Sequence, residues 1–382
     1  MARIYLDHAA TTTVRPEVVE AMVPFLGGGY NPSSLHAEGR AARAAVDTAR
    51  ETVARILGAA PREIVFTSGG TEADVLAVVG GARALAGRGR HIVTTAVEHH
   101  AVLHAADLLE REGWRITRLP VDRRGLVDPN EFAEALTPET TLASVILANN
   151  EIGVVEPIAQ LAALAHARGV VFHTDAVQAA GWLPLDVDAL GVDLLSLSAH
   201  KFYGPKGVGV LYVRTGTPVE PLIVGGGQEH GLRAGTENVA GIVGFATALA
   251  PAETERVATA ARVEALRDRL EAGILAAIPD VIVNGAGAPR LPGNLSVAFA
   301  GAPSDALLIR LDLDGIAASA GSACAAGSLE PSHVIAALGL DEDYRRGVIR
   351  FSLGRATTDA EVEEVLVRLP PVLAAIRTPS TV

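Results

Sequence analysis

Cysteine and lysine are nearly missing from this chain of 382 residues, which has one cysteine, Cys324, and two lysines, Lys201 and Lys206, beside thirty arginines. A single cysteine excludes intrachain disulfides, CxxC redox pairs and any zinc or iron–sulfur site built from several of the chain's own cysteines. No run of about eighteen apolar residues is present, and the segment after Met1 has no apolar stretch of signal-peptide length. We therefore expect a cytoplasmic protein without disulfides.

The charge and the composition limit the possible functions further. The formal net charge is −12, which disfavours a general affinity for nucleic acids or anionic membranes, because those surfaces are themselves negative. Hydrophobic residues make up 49% of the chain and charged residues 20%, which allows a large buried core. At this length we expect two domains rather than one.

Both lysines fall in one short stretch, residues 196–210, with the sequence SLSAHKFYGPKGVGV. An arginine guanidinium stays protonated, whereas a lysine amine can lose its proton when desolvated and form a Schiff base with an aldehyde. Lys201 follows an apolar run at residues 192–197 that predicts a buried strand, and open α/β sheets bind ligands at the carboxyl ends of their strands. Two interpretations follow: a lysine that binds pyridoxal phosphate, or two ordinary surface lysines.

A glycine-rich turn at residues 67–72, TSGGTE, stands between a predicted strand at residues 64–66 and a predicted helix from Ala73. The backbone N–H groups of such a turn and the positive end of the helix dipole favour an anion, and the Thr71 hydroxyl is a further donor. The turn matches neither GxGxxG nor GxxxxGK[ST], so it does not indicate a dinucleotide or a nucleoside triphosphate. Glycines needed only for the geometry of the turn are the alternative interpretation.

Strands and helices alternate at short spacing over residues 64–213, which predicts a mostly parallel sheet flanked by helices. Asp175 ends an apolar strand, where a carboxylate needs a cation or hydrogen-bond donors, and a pyridinium nitrogen is one such partner. Other predicted strands end in polar residues as well. The carboxyl ends of these strands meet at one edge of the sheet, so their polar residues would lie together, which favours a cofactor-binding lysine. These residues are Thr71, His99, Asn150, Asp175 and Lys201.

His100 and His104 are four residues apart, so they could share a helix face and chelate a metal ion. The sequence has neither the HExxH pattern nor a nearby group of further ligands, and we predict no metal site. His99, at a strand end, could stack on an aromatic cofactor or move protons, although an isolated histidine can equally be structural.

The pattern changes after residue 213, where a glycine-rich loop and a long helical region at residues 239–276 precede a smaller α+β unit. Cys324 lies in this unit within a run of small residues, ASAGSACAAGS, that suits a mobile loop able to carry a thiolate to a substrate. A small buried hydrophobic residue is the alternative, and no lysine or arginine neighbours Cys324 in sequence to lower its pKa. Arg350, on a strand pattern, is the best candidate to bind a substrate carboxylate through two guanidinium nitrogens.

Nine motifs extend over essentially the whole chain: YLDHAATT, SGGTEAD, VEHHAV, NNEIGV, HTDAVQ, SAHKFYGPKG, GGGQEHGLRAGTENV, GSACAAGSLEPSH and IRFSLGR. In order and spacing they resemble the motifs of the cysteine desulfurases of the NifS/IscS type. Those proteins are pyridoxal 5′-phosphate (PLP) enzymes of fold-type I in the class V aminotransferase family. The long small-residue loop around Cys324 resembles the group I form.

The resemblance implies a role for each matching residue. Lys201 would form the Schiff base with PLP, Asp175 would bind the pyridine nitrogen, and His99 would stack on the ring. Gln178 would bond the phenolic oxygen, and Cys324 would accept the sulfur as a persulfide. The residues implied to hold the phosphate are Gly70, Thr71, Ser198, His200 and, from the other subunit of a homodimer, Thr236. Asn150 would contact the cofactor and the substrate carboxylate, and Arg350 would bind that carboxylate as well.

The resemblance also implies an α/β fold with a mostly parallel central sheet and a smaller α+β C-terminal domain. We expect a large PLP-binding domain at residues 14–255, and a small domain formed by residues 1–13 and 256–382 with the mobile cysteine loop at about residues 318–331. The implied activity is conversion of L-cysteine to L-alanine, with the sulfur passed to Cys324 and then to an acceptor protein. Iron–sulfur cluster assembly and thiolation of other biomolecules are the implied uses, without direct contact to nucleic acid or membrane.

Other functions stay open. A selenocysteine lyase or another class V enzyme would use much of the same site, although Cys324 counts against a transaminase. A sulfur-carrier scaffold without catalysis is less consistent with an intact set of Lys201, Asp175, His99 and Cys324. A nicotinamide dehydrogenase is disfavoured because no GxGxxG follows the first strand. The sequence leaves the destination of the sulfur open among iron–sulfur assembly, tRNA thiolation, thiamine or molybdopterin synthesis, and DNA phosphorothioation.

Overall fold

The computed structural model describes residues 3–321 and 332–377, which form alternating strands and helices. The strands are β1 (Ile4–Tyr5), β2 (Ile64–Thr67), β3 (His91–Thr95), β4 (Arg115–Leu119), β5 (Thr140–Ser144), β6 (Val171–Asp175), β7 (Leu194–Ser198), β8 (Gly209–Val213), β9 (Val281–Val283), β10 (Asn294–Phe299), β11 (Ile316–Ala317) and β12 (Val348–Ser352). The helices are α1 (Pro16–Met22), α2 (Ala37–Leu57), α3 (Gly70–Val75), α4 (Gly81–Ala84), α5 (His100–Arg111), α6 (Pro129–Ala135), α7 (Ile158–His166), α8 (Val187–Leu190), α9 (Val239–Ala277), α10 (Ser304–Leu313), α11 (His333–Ala337), α12 (Glu342–Arg345) and α13 (Asp359–Arg377).

Seven strands form the central sheet in the spatial order β2-β8-β7-β6-β5-β3-β4. All of them run in one direction except β8, which is antiparallel to both β2 and β7. Strands of a sheet covered by helices on both faces are apolar throughout, and β2, β3, β5 and β7 are buried at every residue. The predicted mostly parallel sheet flanked by helices is therefore confirmed. The edge strand β4, RITRL, is not recognisable in the sequence, because two partly exposed arginines interrupt its apolar pattern.

A second, smaller unit is built from the two ends of the chain. Strands β12, β10 and β9 form an antiparallel sheet, and β1 pairs in parallel with β11, with Ile4 opposite Ile316. Asp7 bridges to Ser352, so the N-terminal segment also adjoins β12. Helices α10 and α13 contribute buried side chains to the core of this unit. Its strands and helices agree with the α+β unit predicted for the C-terminal part of the chain.

Helix α9 connects the two units. It has 39 residues, which corresponds to about 58 Å at 1.5 Å per residue. Its first half contributes Ile242 and Phe245 to the core beneath the central sheet, and its second half contributes Leu266 and Leu270 to the core of the smaller unit. The boundary predicted between residues 255 and 256 lies inside this helix, and the two predicted domains stay a prediction.

Helix α13 is longer than the sequence predicts. A helix at residues 358–369 is expected to end before Pro370 and Pro371, because proline lacks the N–H that a helix interior requires. In the structure the helix continues through both prolines to Arg377, and Val372 and Leu373 beyond them are buried in the core of the smaller unit. This burial stabilises the last turns. None of the described helices combines the length and the apolar character needed to cross a membrane.

A buried ion pair joins α2 to the glycine-rich loop between β8 and α9. Arg50 donates to both carboxylate oxygens of Glu229, at 2.9 and 2.6 Å, and the two side chains are 7% and 2% exposed. The Phe66 N–H donates to the same carboxylate at 2.7 Å. Glu229 has a φ of +45°, which a residue with a side chain rarely adopts, so these contacts hold the loop in an unfavourable backbone conformation.

We expect Glu229→Ala to lower the free energy of unfolding by about 3–5 kcal/mol, because the substitution leaves Arg50 as an uncompensated buried charge. Urea unfolding followed by circular dichroism measures this loss. Glu342→Ala is the matched control, since Glu342 pairs with Arg346 on the surface and both side chains are more than half exposed. The control should change the free energy by no more than about 1 kcal/mol, and an equally small change in Glu229→Ala would contradict the prediction.

Candidate active site

A cavity of about 250 Å³ lies at the carboxyl edge of the parallel strands. Segments that follow β2, β3, β5, β6 and β7 reach it, as expected for strands that share one direction. The smaller unit contributes Gly321 and a residue of β12. The predicted site residues that line this cavity are Gly70, Thr71, His99, Asn150, Asp175, Gln178, Ser198, His200, Lys201 and Arg350.

Lys201 lies in the short turn after β7, as the last residue of the 3₁₀ segment Ala199–Lys201. Its Nζ donates to the carbonyl oxygens of Ala9 and Ala10, at 2.6 and 2.9 Å. Lys206, the chain's other lysine, is exposed on the surface. The two lysines therefore have different environments, and Lys201 is the one whose amine faces the cavity.

Asp175 is the last residue of β6 and is only 4% exposed. Its Oδ1 accepts a hydrogen bond from the Val177 N–H at 2.9 Å. Burial raises the pKa of Asp175, and the bond from Val177 and the charge of Lys201 oppose this rise. A cationic ligand group beside this carboxylate would stabilise its ionised form.

A second buried carboxylate, Asp74 on α3, lies beside Asp175. Burial, followed by the charge of Asp175, raises the pKa of Asp74 well above its ordinary value. Among the described residues, Asp74 Oδ1 has no hydrogen-bond partner, and it lies 3.7 Å from Nε2 of the buried His173. The ligand atoms of Asp74, His99 and Asp175 all lie within 4.8 Å of one another. The absence of a bound metal stays a prediction for this cluster.

His99 precedes the first residue of α5 and caps that helix. Its Nδ1 accepts a hydrogen bond from the Ala101 N–H at 3.1 Å, which leaves the ring proton on Nε2. Burial, and next the charge of Lys201, lowers the pKa of His99 to about 4. The imidazole is therefore neutral at physiological pH, and it presents a flat ring that can stack on an aromatic ligand.

The turn after β2 brings the start of α3 to the cavity. A Cβ on Gly70 would lie 2.7 Å from Cγ2 of Val177 and 3.3 Å from Cβ of Ser198, so this close approach requires glycine. Gly70 and Thr71 are the first residues of α3, and their backbone N–H groups have no partner within the helix. Together with Ser198 and His200 they form a group of donors suited to an anion.

The first residues of the chain close one side of the cavity. Ala9 O accepts hydrogen bonds from Gln178 Nε2 at 2.9 Å and from Lys201 Nζ at 2.6 Å. His200 Nδ1 lies 3.2 Å from Thr11 Oγ1. Two of these three contacts use the backbone carbonyl of Ala9, which carries no side-chain signal of a site. Only the motif YLDHAATT in the sequence marks this segment.

Arg350 is 1% exposed and reaches the cavity from β12. Its Nη1 donates to the carbonyl oxygens of Asn150 and Gly321, at 2.7 and 2.6 Å. Its Nη2 donates to Asp7 Oδ1 at 2.8 Å. The carboxylate of Asp7 thus neutralises part of the guanidinium charge. Neither Asp7 nor Asp74 is predicted as a site residue from the sequence, although Asp74 stands four residues after Gly70, on the same helix face.

Two of the predicted residues are not among those that line this cavity in the described part of the chain. Thr236 is exposed in the loop before α9, and it is not among the described residues that line the cavity of the same chain. Cys324 lies outside the described residues. The positions that flank residues 322–331 reach the cavity, since Gly321 and His333 both line it. The roles predicted for Thr236 and Cys324 stay predictions.

The residues of the cavity fit the PLP that the sequence analysis predicts. PLP has a pyridine nitrogen, a phenolic oxygen, an aldehyde and a phosphate. The cavity offers a buried carboxylate pair, the Gln178 amide, the Lys201 amine and the donors around Gly70 for these four groups. Oδ1 of Asp74, which has no hydrogen-bond partner within residues 3–321 and 332–377, supports this fit. A protonated ring nitrogen would relieve the cost of burying two carboxyl groups.

Comparisons with known proteins agree with this arrangement. The family described as Aminotransferase class-V matches residues 4–365. The chain is 50% identical over 376 residues to the cysteine desulfurase IscS of Dictyoglomus turgidum, covering 98% of this chain and 95% of that protein. It is 47% identical over 380 residues to the IscS of Methanosarcina thermophila, covering 99% and 93%. A solved structure titled NifS-like protein superposes with a TM-score of 0.91 at 38% identity, covering 98% of this chain and all of that one.

Proposed function

Because the chain belongs to the class V aminotransferase family and is a cysteine desulfurase, we propose that its cavity binds PLP and L-cysteine and that Lys201, Asp175 and Cys324 carry the reaction. One observation carries this proposal. Every predicted cofactor and substrate residue except Thr236 lines a single cavity, with the amine of Lys201 and the carboxylate of Asp175 both facing it.

The cofactor would be held by groups from several strand ends. Asp175 would bind the ring nitrogen, the neutral imidazole of His99 would cover one face of the ring, and Gln178 would bond the phenolic oxygen. The phosphate would lie at the start of α3, with Thr236 of the partner subunit completing the site in a homodimer. Its other ligands would be Gly70, Thr71, Ser198 and His200. When bound, PLP withdraws electrons from the substrate Cα.

Lys201 would move the proton of the substrate Cα. Its Nζ lies between the cavity and the carbonyl oxygens of Ala9 and Ala10, which hold the amine in place through two hydrogen bonds. A neutral amine held in this way accepts a proton, and the resulting ammonium is stabilised by the same two carbonyl oxygens. Lys201 would therefore act as both the covalent anchor of the cofactor and the general base.

Asn150 and Arg350 would orient the substrate by its carboxylate. Arg350 is already fixed by the carbonyl oxygens of Asn150 and Gly321 and by Asp7, so its guanidinium loses little freedom on binding. The substrate carboxylate would then be the second carboxylate on the Arg350 guanidinium, beside that of Asp7. This arrangement favours a zwitterionic amino acid over an amine without a carboxylate.

Cys324 would take the sulfur from the substrate. The Cys324 thiolate would attack the substrate sulfur, so that an S–S bond forms and the Cβ–S bond breaks. The electron pair of the Cβ–S bond stays on the three-carbon skeleton, which gains a proton and leaves as L-alanine. The enzyme thiol becomes a persulfide, and no external oxidant or reductant is consumed in this half of the reaction. An acceptor protein for iron–sulfur cluster assembly or thiolation, in the cytoplasm, would then receive the sulfur.

Alanine release tests the proposed reaction. Purified protein loaded with PLP is expected to release L-alanine from L-cysteine in the presence of a reductant, whereas protein prepared without PLP releases none until PLP is added. L-Selenocysteine as a parallel substrate tests the alternative of a selenocysteine lyase. Release of alanine without PLP would contradict PLP as the cofactor. Release from L-selenocysteine but not from L-cysteine would contradict L-cysteine as the substrate.

We expect Arg350→Lys to raise the KM for L-cysteine by roughly 10- to 100-fold, because a charged hydrogen bond contributes about 1.5–3 kcal/mol and a lysine amine cannot reproduce the guanidinium fork. Binding of cysteamine, which lacks the carboxylate, should change much less. Steady-state kinetics and competition by cysteamine measure the two effects. Arg346→Lys, at an exposed arginine of the same segment, is the control. Equal losses for both ligands would mean that Arg350 does not bind the carboxylate.

A further inference from the structure

Three histidines stand together at the rim of the active-site cavity. His100 is the first residue of α5, His104 lies one turn further along it, and His333 is the first residue of α11. The ring centres of His100 and His333 are 4.6 Å apart, and those of His100 and His104 are 5.3 Å apart. The sequence predicts no metal site at His100 and His104 because no further ligand is near them in the chain. The fold supplies one.

The spacings of the His100 ring to the His104 and His333 rings match those of imidazoles around a single metal ion. Zinc–nitrogen bonds are about 2.0–2.1 Å long and structural geometry is tetrahedral, so the centres of two bound rings lie roughly 5 Å apart. In this structure the ring nitrogens of the three residues are not all within 4.8 Å of one another. The side chain of His104 is exposed, and binding would require it to turn toward the other two rings.

The hydrogen bonding of His333 prepares it as a ligand. Its Nε2 lies 2.9 Å from the carbonyl oxygen of Glu98. A carbonyl oxygen only accepts hydrogen bonds, so the ring proton is on Nε2 and the lone pair is on Nδ1. Metal-bound histidines commonly donate their second ring N–H to a backbone carbonyl in this way, which fixes the ring orientation and increases the basicity of the ligand nitrogen.

The surroundings of the cluster suit a cation that arrives from solvent. His104 is exposed, whereas His100 and His333 are half-buried and line the cavity. Glu151, a buried carboxylate, lines the same cavity and interacts electrostatically with His100. A nearby carboxylate offsets part of the charge of a divalent ion without being one of its ligands.

We propose that His100, His104 and His333 bind a divalent transition-metal cation such as Zn²⁺ at the rim of the cavity. Three imidazole nitrogens and one water complete a tetrahedral site. Two of its ligands belong to the cavity wall, so the bound ion narrows the entrance and slows the entry of an amino acid. The effect on entry rests on the proposed function of the cavity, whereas the binding of the ion does not.

Calorimetric titration of the purified full-length protein with ZnCl₂, without thiols in the buffer, tests the binding. We expect one strong site per chain, and about tenfold or more loss of affinity in His104→Ala and in His333→Ala, since even the loss of a group that orients a ligand commonly costs about 10- to 100-fold. His36→Ala, at an exposed histidine at the start of α2, is the matched control and should bind as the wild type does. Cys324→Ala should also retain the site.

The controls decide between a histidine site and other sources of affinity. Loss of binding in Cys324→Ala with retention in His104→Ala would overturn the proposal in favour of a thiolate site. Wild-type affinity in both histidine variants would overturn it as well. Entry is followed with L-alanine, which does not sequester zinc through a thiol, by the rate at which it changes the absorption of the PLP-loaded protein. Zn²⁺ should slow this change in the wild type and not in His104→Ala, and equal slowing in both would refute the effect on entry.

Discussion

Lys201→Ala is expected to lower the rate of alanine release by at least about 10³-fold, because it removes the proposed covalent anchor of the cofactor and the proposed general base. General acid–base catalysis alone contributes about 10²–10⁴-fold. Lys206→Ala should keep the wild-type rate. No other protein-internal control is as well matched, since these are the only two lysines in the chain and they stand five residues apart. Their environments differ: Lys201 faces the cavity, whereas Lys206 is exposed.

Borohydride reduction of the PLP-loaded protein gives a second measurement that does not depend on turnover. Reduction should fix the cofactor on one lysine-containing peptide, and mass spectrometry should find it on Lys201 in the wild type and in Lys206→Ala. Lys201→Ala should give no labelled peptide. Label on Lys206, or alanine release from Lys201→Ala within tenfold of the wild type, would refute the role of Lys201.

Cys324→Ala is expected to abolish persulfide formation, from one sulfur per chain to none, while the protein still binds PLP. Cys324 is the only cysteine, so no other residue of the chain can form the persulfide in its place. Gly321 and His333, on either side of residues 322–331, both line the cavity. Cys324 follows Gly321 by three positions in the sequence, and its access to the cavity stays a prediction.

Radiolabelled L-[³⁵S]cysteine measures this loss directly. The label should stay with the wild-type protein until a reductant releases it, and Cys324→Ala should retain none. Ser328→Ala, in the same small-residue run, is the control and should be labelled as the wild type is. Alanine release at the wild-type rate by Cys324→Ala would show that the sulfur leaves by another route. Loss of the cofactor absorption in that variant would show that the residue acts on the cofactor site instead.

The sequence predicts the positions at which strands end, and most of the site follows from them. Thr71, His99, Asn150, Asp175 and Lys201 all come within about five residues of the end of an apolar run, and the carboxyl ends of parallel strands meet at one edge. The apolar run of each strand is enough to predict where the strand ends, because the central sheet is buried and its strands are short and continuous.

The residues that escape prediction are those whose role depends on distant pairing. Asp7 precedes Arg350 by most of the chain, and nothing in the pattern around either residue predicts their 2.8 Å contact. The acceptors of the Lys201 amine are backbone carbonyls of two alanines, which have no chemical signature in a sequence. Asp74 could have been found from its helical spacing to Gly70, whereas the contact of His333 with His100 could not.

The pairing of β1 with β11 also determines when the N-terminal segment gains its last contacts during synthesis. The central sheet is complete once Val213 has left the ribosome, but Ala9 and Ala10 reach Lys201 through a segment held by Ile316 and Ser352. Roughly 140 further residues must be made, which takes about 7–28 s at 5–20 residues per second. During that interval the contacts of Ala9 with Gln178 and of Thr12 with His200 and Tyr203 can already hold the N-terminal segment beside Lys201. Its contacts with β11 and β12 form only after nearly the whole polypeptide has emerged.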